Sequence, residues 1–222
     1  MPILRKFASP PKISNEKRSV GPPGPPAAIG EAFGGGFFAG QISTAGNGIA
    51  DYNLVVGPAS SAQTSSTQWK TSETSTSGTS SAIDGPTNSS SMNNASHPAA
   101  QFCEAVSTGG FSDWYLPAKN ELEVCYFNLK PTAPGNQTSS GINPNAVPPR
   151  ASNYPSGGPP TQTSAANFQS TGTEDFNGSD DYWSSTEGNS TQAWRQFFSS
   201  GGQYQVSKIA ANGVRAVRRV AV

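Results

Sequence analysis

The stretch Asp113-Trp114-Tyr115-Leu116-Pro117-Ala118-Lys119-Asn120-Glu121-Leu122 decides how this chain folds. An aromatic and apolar run meets a proline, and a helical pattern begins directly behind it. Proline fits the first turn of a helix but not its interior, so the pattern predicts a helix from Pro117 or Ala118. Leu122, Cys125, Tyr126 and Leu129 recur at i, i+3, i+4 and i+7, an amphipathic stripe that ends near Leu129. Glu121 and Glu123 suit the positive end of that helix and Lys130 the negative end.

Two further ordered segments lie downstream, Asp181-Tyr182-Trp183-Ser184-Ser185-Thr186-Glu187 and Asn212-Gly213-Val214-Arg215-Ala216-Val217-Arg218-Arg219. Both stand out from a background rich in Ser, Thr, Gly and Asn. Strands are predicted at Phe37–Ile42, Tyr52–Val56, Tyr182–Ser185, Ala193–Phe198, Gln203–Val206 and Gly213–Val220, with a short one at Thr67–Lys70. A first helix is predicted behind Ser96 as cap, with Pro98 in its opening turn and Ala99–Val106 as its body. Residues 71–96 and 131–180 read as loop. No internal repeat appears beyond two Gly-Pro-Pro units.

Composition agrees with a loop-heavy mixed domain. Of 222 residues, 33% are hydrophobic and 13% charged, too polar for a helical bundle. The 11 Phe, 6 Tyr and 4 Trp therefore supply most of the burial. The net charge of zero argues against nucleic acid as the main partner. Charge is uneven, however. Residues 1–20 carry Arg5, Lys6, Lys12, Lys17 and Arg18 against Glu16 alone, which reads as an extended basic arm that docks on something acidic. Gly21-Pro22-Pro23-Gly24-Pro25-Pro26 follows, a collagen-like linker over residues 21–32 that serves as a stiff spacer or, with neighbours, as the tip of a homotrimer. No apolar run reaches the length of a membrane span, and none resembles a signal peptide. Cys103 and Cys125 are too few for a disulfide scaffold and read as buried free thiols.

In order, W-x-L-P-x-x-x-E-L at Trp114–Leu122, Y-W-S-S-T-E at Tyr182–Glu187 followed by Ala193-Trp194, and V-R-A-V-R at Val214–Arg218 resemble the Lcl type of C-type-lectin-like domain. That branch occurs in bacterial surface proteins and tailed-phage structural proteins. The resemblance covers residues 33–222 and implies an α+β, C-type-lectin-like fold of two helices, a small antiparallel sheet and long loops, preceded by the N-terminal arm. It also makes the excursion at 131–180 an expected feature, and it places Trp114, Trp183 and Trp194 in the sheet core.

Catalytic patterns are missing. His97 is the single histidine, with local hydrogen bonding or exposure as its simplest reading, and there is no nucleophile elbow, C-x-x-C or phosphate loop. Formylglycine-generating enzymes share a related scaffold, echoed here by Leu116-Pro117, Glu121 and Gly213-Val214-Arg215, but their paired cysteines have no counterpart in the final strands. No enzyme and no cofactor are expected. Glu174, Asp175, Asp180, Asp181 and Glu187 gather acidic oxygens near Asn177-Gly178-Ser179, yet read as a solvated acidic loop rather than a calcium site. Arg215, Arg218 and Arg219 read as strand charges paired with acids.

The candidate ligand residues are Tyr182, Gln203 and Tyr204, with Asn189 and Gln192 as polar neighbours, because rigid rings beside small hydrogen-bonding groups make adaptable binding surfaces. The resemblance implies a virion structural protein assembled in the host cytoplasm. It would be a short fibre or tail-tip adhesin that docks on other virion proteins through the arm and meets host-surface glycan or protein. A capsid or tail decoration protein is the alternative, and an enzyme on the formylglycine-type scaffold a more distant one.

Overall fold

A computed structural model describes residues 28–133, 135–178 and 180–222. The basic arm at 1–20 and the Gly-Pro-Pro units lie outside the described residues. The chain is mixed α+β with few helices. It opens with β1 (Ala32–Phe33), β2 (Gly36–Ile42), β3 (Tyr52–Val56), α1 (Ala59–Ala62) and β4 (Gln63–Gln68). Three helices follow, α2 (Gly85–Ser91), α3 (Pro98–Glu104) and α4 (Lys119–Leu129), then β5 (Ala146–Val147) and a 3-10 turn at Ala166–Phe168. The chain ends with β6 (Asp181–Glu187), β7 (Gln192–Phe197), β8 (Gln203–Ser207), β9 (Ala211–Arg215) and β10 (Val217–Ala221).

Two sheets form, rather than the single small sheet expected. One runs β1-β2-β3-β10 with β5 added to β2, and the other runs β4-β9-β6-β7-β8. Pairing is antiparallel except for β6 with β9, which touch in parallel at Tyr182 and Gly213. The expected last strand, Gly213–Val220, is in fact β9 and β10, which belong to different sheets. The chain crosses between them at Ala216, whose N–H donates to Ala62 O at 2.9 Å. Strand β4 begins at Gln63, earlier than the residues 67–70 predicted.

The sequence underestimated the helices. Two were expected and four α-helices are present among the described residues. Helix α2 was read as loop because Gly-Pro-Thr-Asn-Ser-Ser-Ser has poor intrinsic propensity. It forms because Asp84 accepts from Thr87 N at 3.3 Å and because tertiary contacts hold it. Buried Asn88 donates to Ser81 O at 2.7 Å, and Ser89 Oγ accepts from Leu116 N at 3.1 Å. In α3 the cap is His97 rather than Ser96, with Pro98 in the first turn as anticipated.

Burial is divided between two apolar clusters. One joins α4 to β2, β3 and the long loops through Leu54, Leu122, Tyr126, Leu129, Phe168, Phe176 and Phe198. The other joins α3 to the second sheet through Trp69, Cys103, Trp114, Leu116, Trp183 and Val214. Trp114 and Trp183 are fully buried as expected, and both cysteines are buried free thiols.

A polar core lies beside the second cluster. Lys208 is buried and donates to Thr74 O at 2.9 Å and to Glu187. Lys70 donates to Thr74 O at 3.0 Å, Ser75 O at 2.8 Å and Thr76 Oγ1 at 2.9 Å. His97 is held by Thr76 Oγ1 and Asn94 Oδ1, each at 2.9 Å. Burial, and then the charges of Lys70 and Lys208, push the His97 pKa down to about 4.

This sets a pH dependence. As the pH falls below the ordinary histidine value near 6.5, the unfolded chain takes up a proton that the folded chain refuses. Stability therefore declines down to the folded value, a loss on the order of 2 kcal/mol. Urea titrations from pH 7 to 4 should show this decline. A His97→Asn variant, which titrates nothing there, should show a shallower slope, and equal slopes would refute the assignment.

Candidate ligand-binding face

The Leu116-Pro117-x-x-x-Glu121 motif anchors the site rather than belonging to it. Glu121 is fully buried in the first turn of α4 and accepts from Ala118 N at 2.8 Å, Tyr115 OH at 2.6 Å and Arg219 Nε at 2.8 Å. Burial pushes its carboxyl pKa up, against the pull of Arg219 and Tyr115. The carboxylate fixes the start of α4 to β10, 98 positions away in sequence. Lys119 N in turn donates to Thr186 Oγ1 at 2.9 Å, which docks the helix start on β6.

Two residues on, Glu123 is also fully buried and holds the long excursion. Arg150, Tyr154 OH and Asn143 Nδ2 all donate to it. Lys130 Nζ reaches Asn136 Oδ1 at 2.8 Å and Pro160 O at 3.3 Å. These anchors bring Ser139–Ile142 and Asn153 beside β7 and β8. Gly201, in the turn between those strands, adopts φ 74°, and a Cβ there would fall 2.2 Å from the Tyr126 ring. Only glycine therefore lets that turn seat on α4.

Register defines two faces on β7 and β8. Trp194 lies opposite Gln205, Gln196 opposite Gln203 and Gln192 opposite Ser207, while Arg195 lies opposite Tyr204. Side chains alternate along a strand and directly paired residues share a face. Gln192, Trp194, Gln203 and Gln205 therefore share the face toward the start of α4. Asn189 joins them, its Nδ2 donating to Gln192 Oε1 at 2.9 Å and Gln205 Oε1 at 3.2 Å. Lys119 Nζ sits 3.8 Å from the centroid of the Trp194 ring, and Gln203 Nε2 donates to Lys119 O at 3.2 Å. A concavity of about 190 Å³ opens here, lined by Lys119, Ser139, Ser140, Ile142, Trp194 and Gln203, with Gly141 and Asn153 completing it.

The proposed ligand residues are thus divided. Gln203, Gln192 and Asn189 come together on this face. Tyr182 is on the same side of the sheet but covered, and its expected exposure is corrected. It is 1% exposed, packed edge-to-face against Phe176 and Phe198, with its hydroxyl accepting from Asn177 N at 3.0 Å. Its register with Gln196 points it at α4, where the helix covers it. Tyr204 is 37% exposed but lies on the opposite face, its ring 5.2 Å from Phe197. Trp194, expected in the core, is only half-buried. Sequence reasoning missed Lys119, Ser140 and Asn153. Lys119 stands inside the motif that set the fold, but nothing local aims it at a strand 75 positions on. The arm residues Arg5, Lys6, Lys12, Lys17 and Arg18 lie outside the described residues.

The acidic residues around 174–187 are dispersed into separate ion pairs. Glu174 pairs with Arg215, Asp181 with Arg195 and Glu187 with Lys208. Arg218 pairs with Asp113 and Arg219 with Glu121. Arg215 is enclosed rather than lying on an open strand face, and its guanidinium is also bonded to Gly57 O at 2.6 Å. Among the described residues no group of three or more His, Cys, Asp and Glu side chains is placed to hold a metal ion. No described helix is long and apolar enough to cross a membrane.

The model of the Lcl C-terminal domain matches residues 60–218, and the chain belongs to that family. No curated protein matches it as a relative.

Proposed function

We propose that the chain is a non-enzymatic attachment module with a C-type-lectin-like fold, carried by the virion of a tailed phage as a short fibre or tail-tip adhesin. The observation that carries the reading is the row Asn189, Gln192, Gln203 and Gln205 beside half-buried Trp194, on strands framed by the long loops. Neutral amides around an aromatic suit the hydroxyls and C–H faces of a surface glycan. The groups that could serve catalysis are engaged elsewhere. His97 is held by Thr76 and Asn94, and both thiols are buried. The Lcl family membership and the excursion between α4 and β6 support the lectin-like assignment. The virion role rests on the family resemblance, with Arg5, Lys6, Lys12, Lys17 and Arg18 docking on an acidic neighbour in the particle.

Trp194→Ala and Tyr204→Ala test this directly, because they strip opposite faces of the same strands. Truncating the anchor of a binding patch costs at least ~1 kcal/mol. Trp194→Ala should therefore weaken attachment of the full-length protein to host cells roughly fivefold or more, while Tyr204→Ala leaves it near the parent value. The reverse result moves the ligand face to the Phe197–Tyr204 side. Unchanged attachment in both variants favours a decoration protein that uses the domain for packing.

A further inference from the structure

We infer that the concavity between α4 and β7–β8 is a subsite for one acidic sugar ring, with the Lys119 ammonium receiving its carboxylate. This deepens the attachment reading and rests on it. Lys119 is the charged group of the site, and its surroundings are unusual for a lysine. The ammonium lies on the Trp194 ring at 3.8 Å, and among the described residues no carboxylate lies within ion-pair distance of it. The other enclosed cations of this protein are placed differently. Lys208, Arg215 and Arg219 each meet a carboxylate, and Lys70 and Lys130 are wrapped by carbonyl and side-chain oxygens. Burial also pulls the Lys119 pKa down. A half-buried cation fixed against an aromatic and facing a concavity is pre-organised for an anion that arrives from outside.

The remaining lining selects the kind of anion. Ser140 Oγ accepts from Gln203 N at 3.0 Å and Ser139 Oγ accepts from Gln137 Nε2 at 3.1 Å, which leaves both hydroxyl protons to donate. Gln203 Nε2 gives one of its two protons to Lys119 O, and its Oε1 serves as an acceptor for a ligand hydroxyl. Ile142 is 54% exposed and gives the rim an apolar edge for ring C–H groups. No acidic residue lines the concavity to repel an anion. Its 190 Å³ falls below the ~300–1,000 Å³ of sites that enclose drug-sized ligands, which suits one ring and not a longer enclosed chain. Cation, hydroxyl donors, one acceptor and an apolar rim together match a uronic-acid-type ring better than a neutral hexose.

Calorimetric titration of the full-length protein with glucuronate, glucose and acetate tests the assignment. Glucuronate should bind about tenfold more tightly than either glucose or acetate, since a charge-assisted hydrogen bond adds roughly 1.5–3 kcal/mol. Lys119→Gln should reduce glucuronate to the level of glucose with the melting temperature unchanged, and Lys119→Arg should retain the preference. Equal affinity for glucuronate and glucose in the parent would overturn the proposal, as would a Lys119→Gln variant that binds glucuronate within twofold of the parent. If the proposal fails in either way while Trp194→Ala still abolishes host-cell attachment, the attachment face stands and only its acidic specificity falls. If attachment is also insensitive to Trp194, the reading of the face itself is wrong.

Discussion

Replacing Glu121 with alanine should lower the melting temperature by roughly 10 °C, although the residue touches no ligand. Removing one partner from a buried, hydrogen-bonded charge pair costs about 3–5 kcal/mol, because the other charge is left enclosed and uncompensated. In a domain of this size each kcal/mol shifts melting by about 2–4 °C. Glu121 is fully buried and has three donors to lose, from Arg219, Tyr115 and the Ala118 backbone. The loss therefore detaches the start of α4 from β10, and Lys119 moves with that helix turn. A Glu121→Leu/Arg219→Met pair should recover part of the stability, since the stranded charge goes with its partner. Calorimetry of the single and double variants decides the matter. A Glu121→Ala protein that melts within 2 °C of the parent would mean the network contributes little.

Trp183→Ala should be about as damaging. The side chain is completely buried in the second sheet's core, and its Nε1 donates to Thr67 O at 2.9 Å. Truncation of a buried tryptophan leaves a large cavity and costs about 3–5 kcal/mol. Here it also strands a carbonyl on β4, 116 positions away. Trp183→Phe should lie between, because it restores much of the volume but not the hydrogen bond. Urea unfolding followed by circular dichroism measures both. Should the alanine variant unfold like the parent and lose only attachment, Trp183 would be a ligand platform and its core assignment would be wrong.

These two residues also mark how far local pattern carries. Trp183 was placed in the core by the family resemblance, and the structure buries it completely. Glu121 was read only as an acid suited to the positive end of the helix and as part of the family motif. The amphipathic stripe Leu122, Cys125, Tyr126 and Leu129 is buried as the spacing predicts, but Glu121, Glu123 and Val124 are buried as well. Periodicity finds the apolar face of a helix. It cannot reveal that the polar face is also covered when the partners, Arg219 and Arg150, lie in distant segments.

The sequence by itself determined α3, α4, most of the strands, the burial of Trp114 and Trp183, and the family to which the chain belongs. Spacing and proline placement, which act over a few residues, carry the helices and strands, while the order of the three motifs carries the family and, through it, the two buried tryptophans. Tertiary structure decided that the sheet is two sheets, that seven residues rich in serine form α2, and that Tyr182 is core while Trp194 meets the surface. Strand alternation divides a segment into two sets of side chains but does not say which set the rest of the chain will cover. On β7 both sets contain an aromatic and a polar residue, so the local pattern is neutral. The choice falls to α4 and the long excursion, fixed by Glu121 and Glu123 against arginines far along the chain, and with it the place of Lys119 in the site.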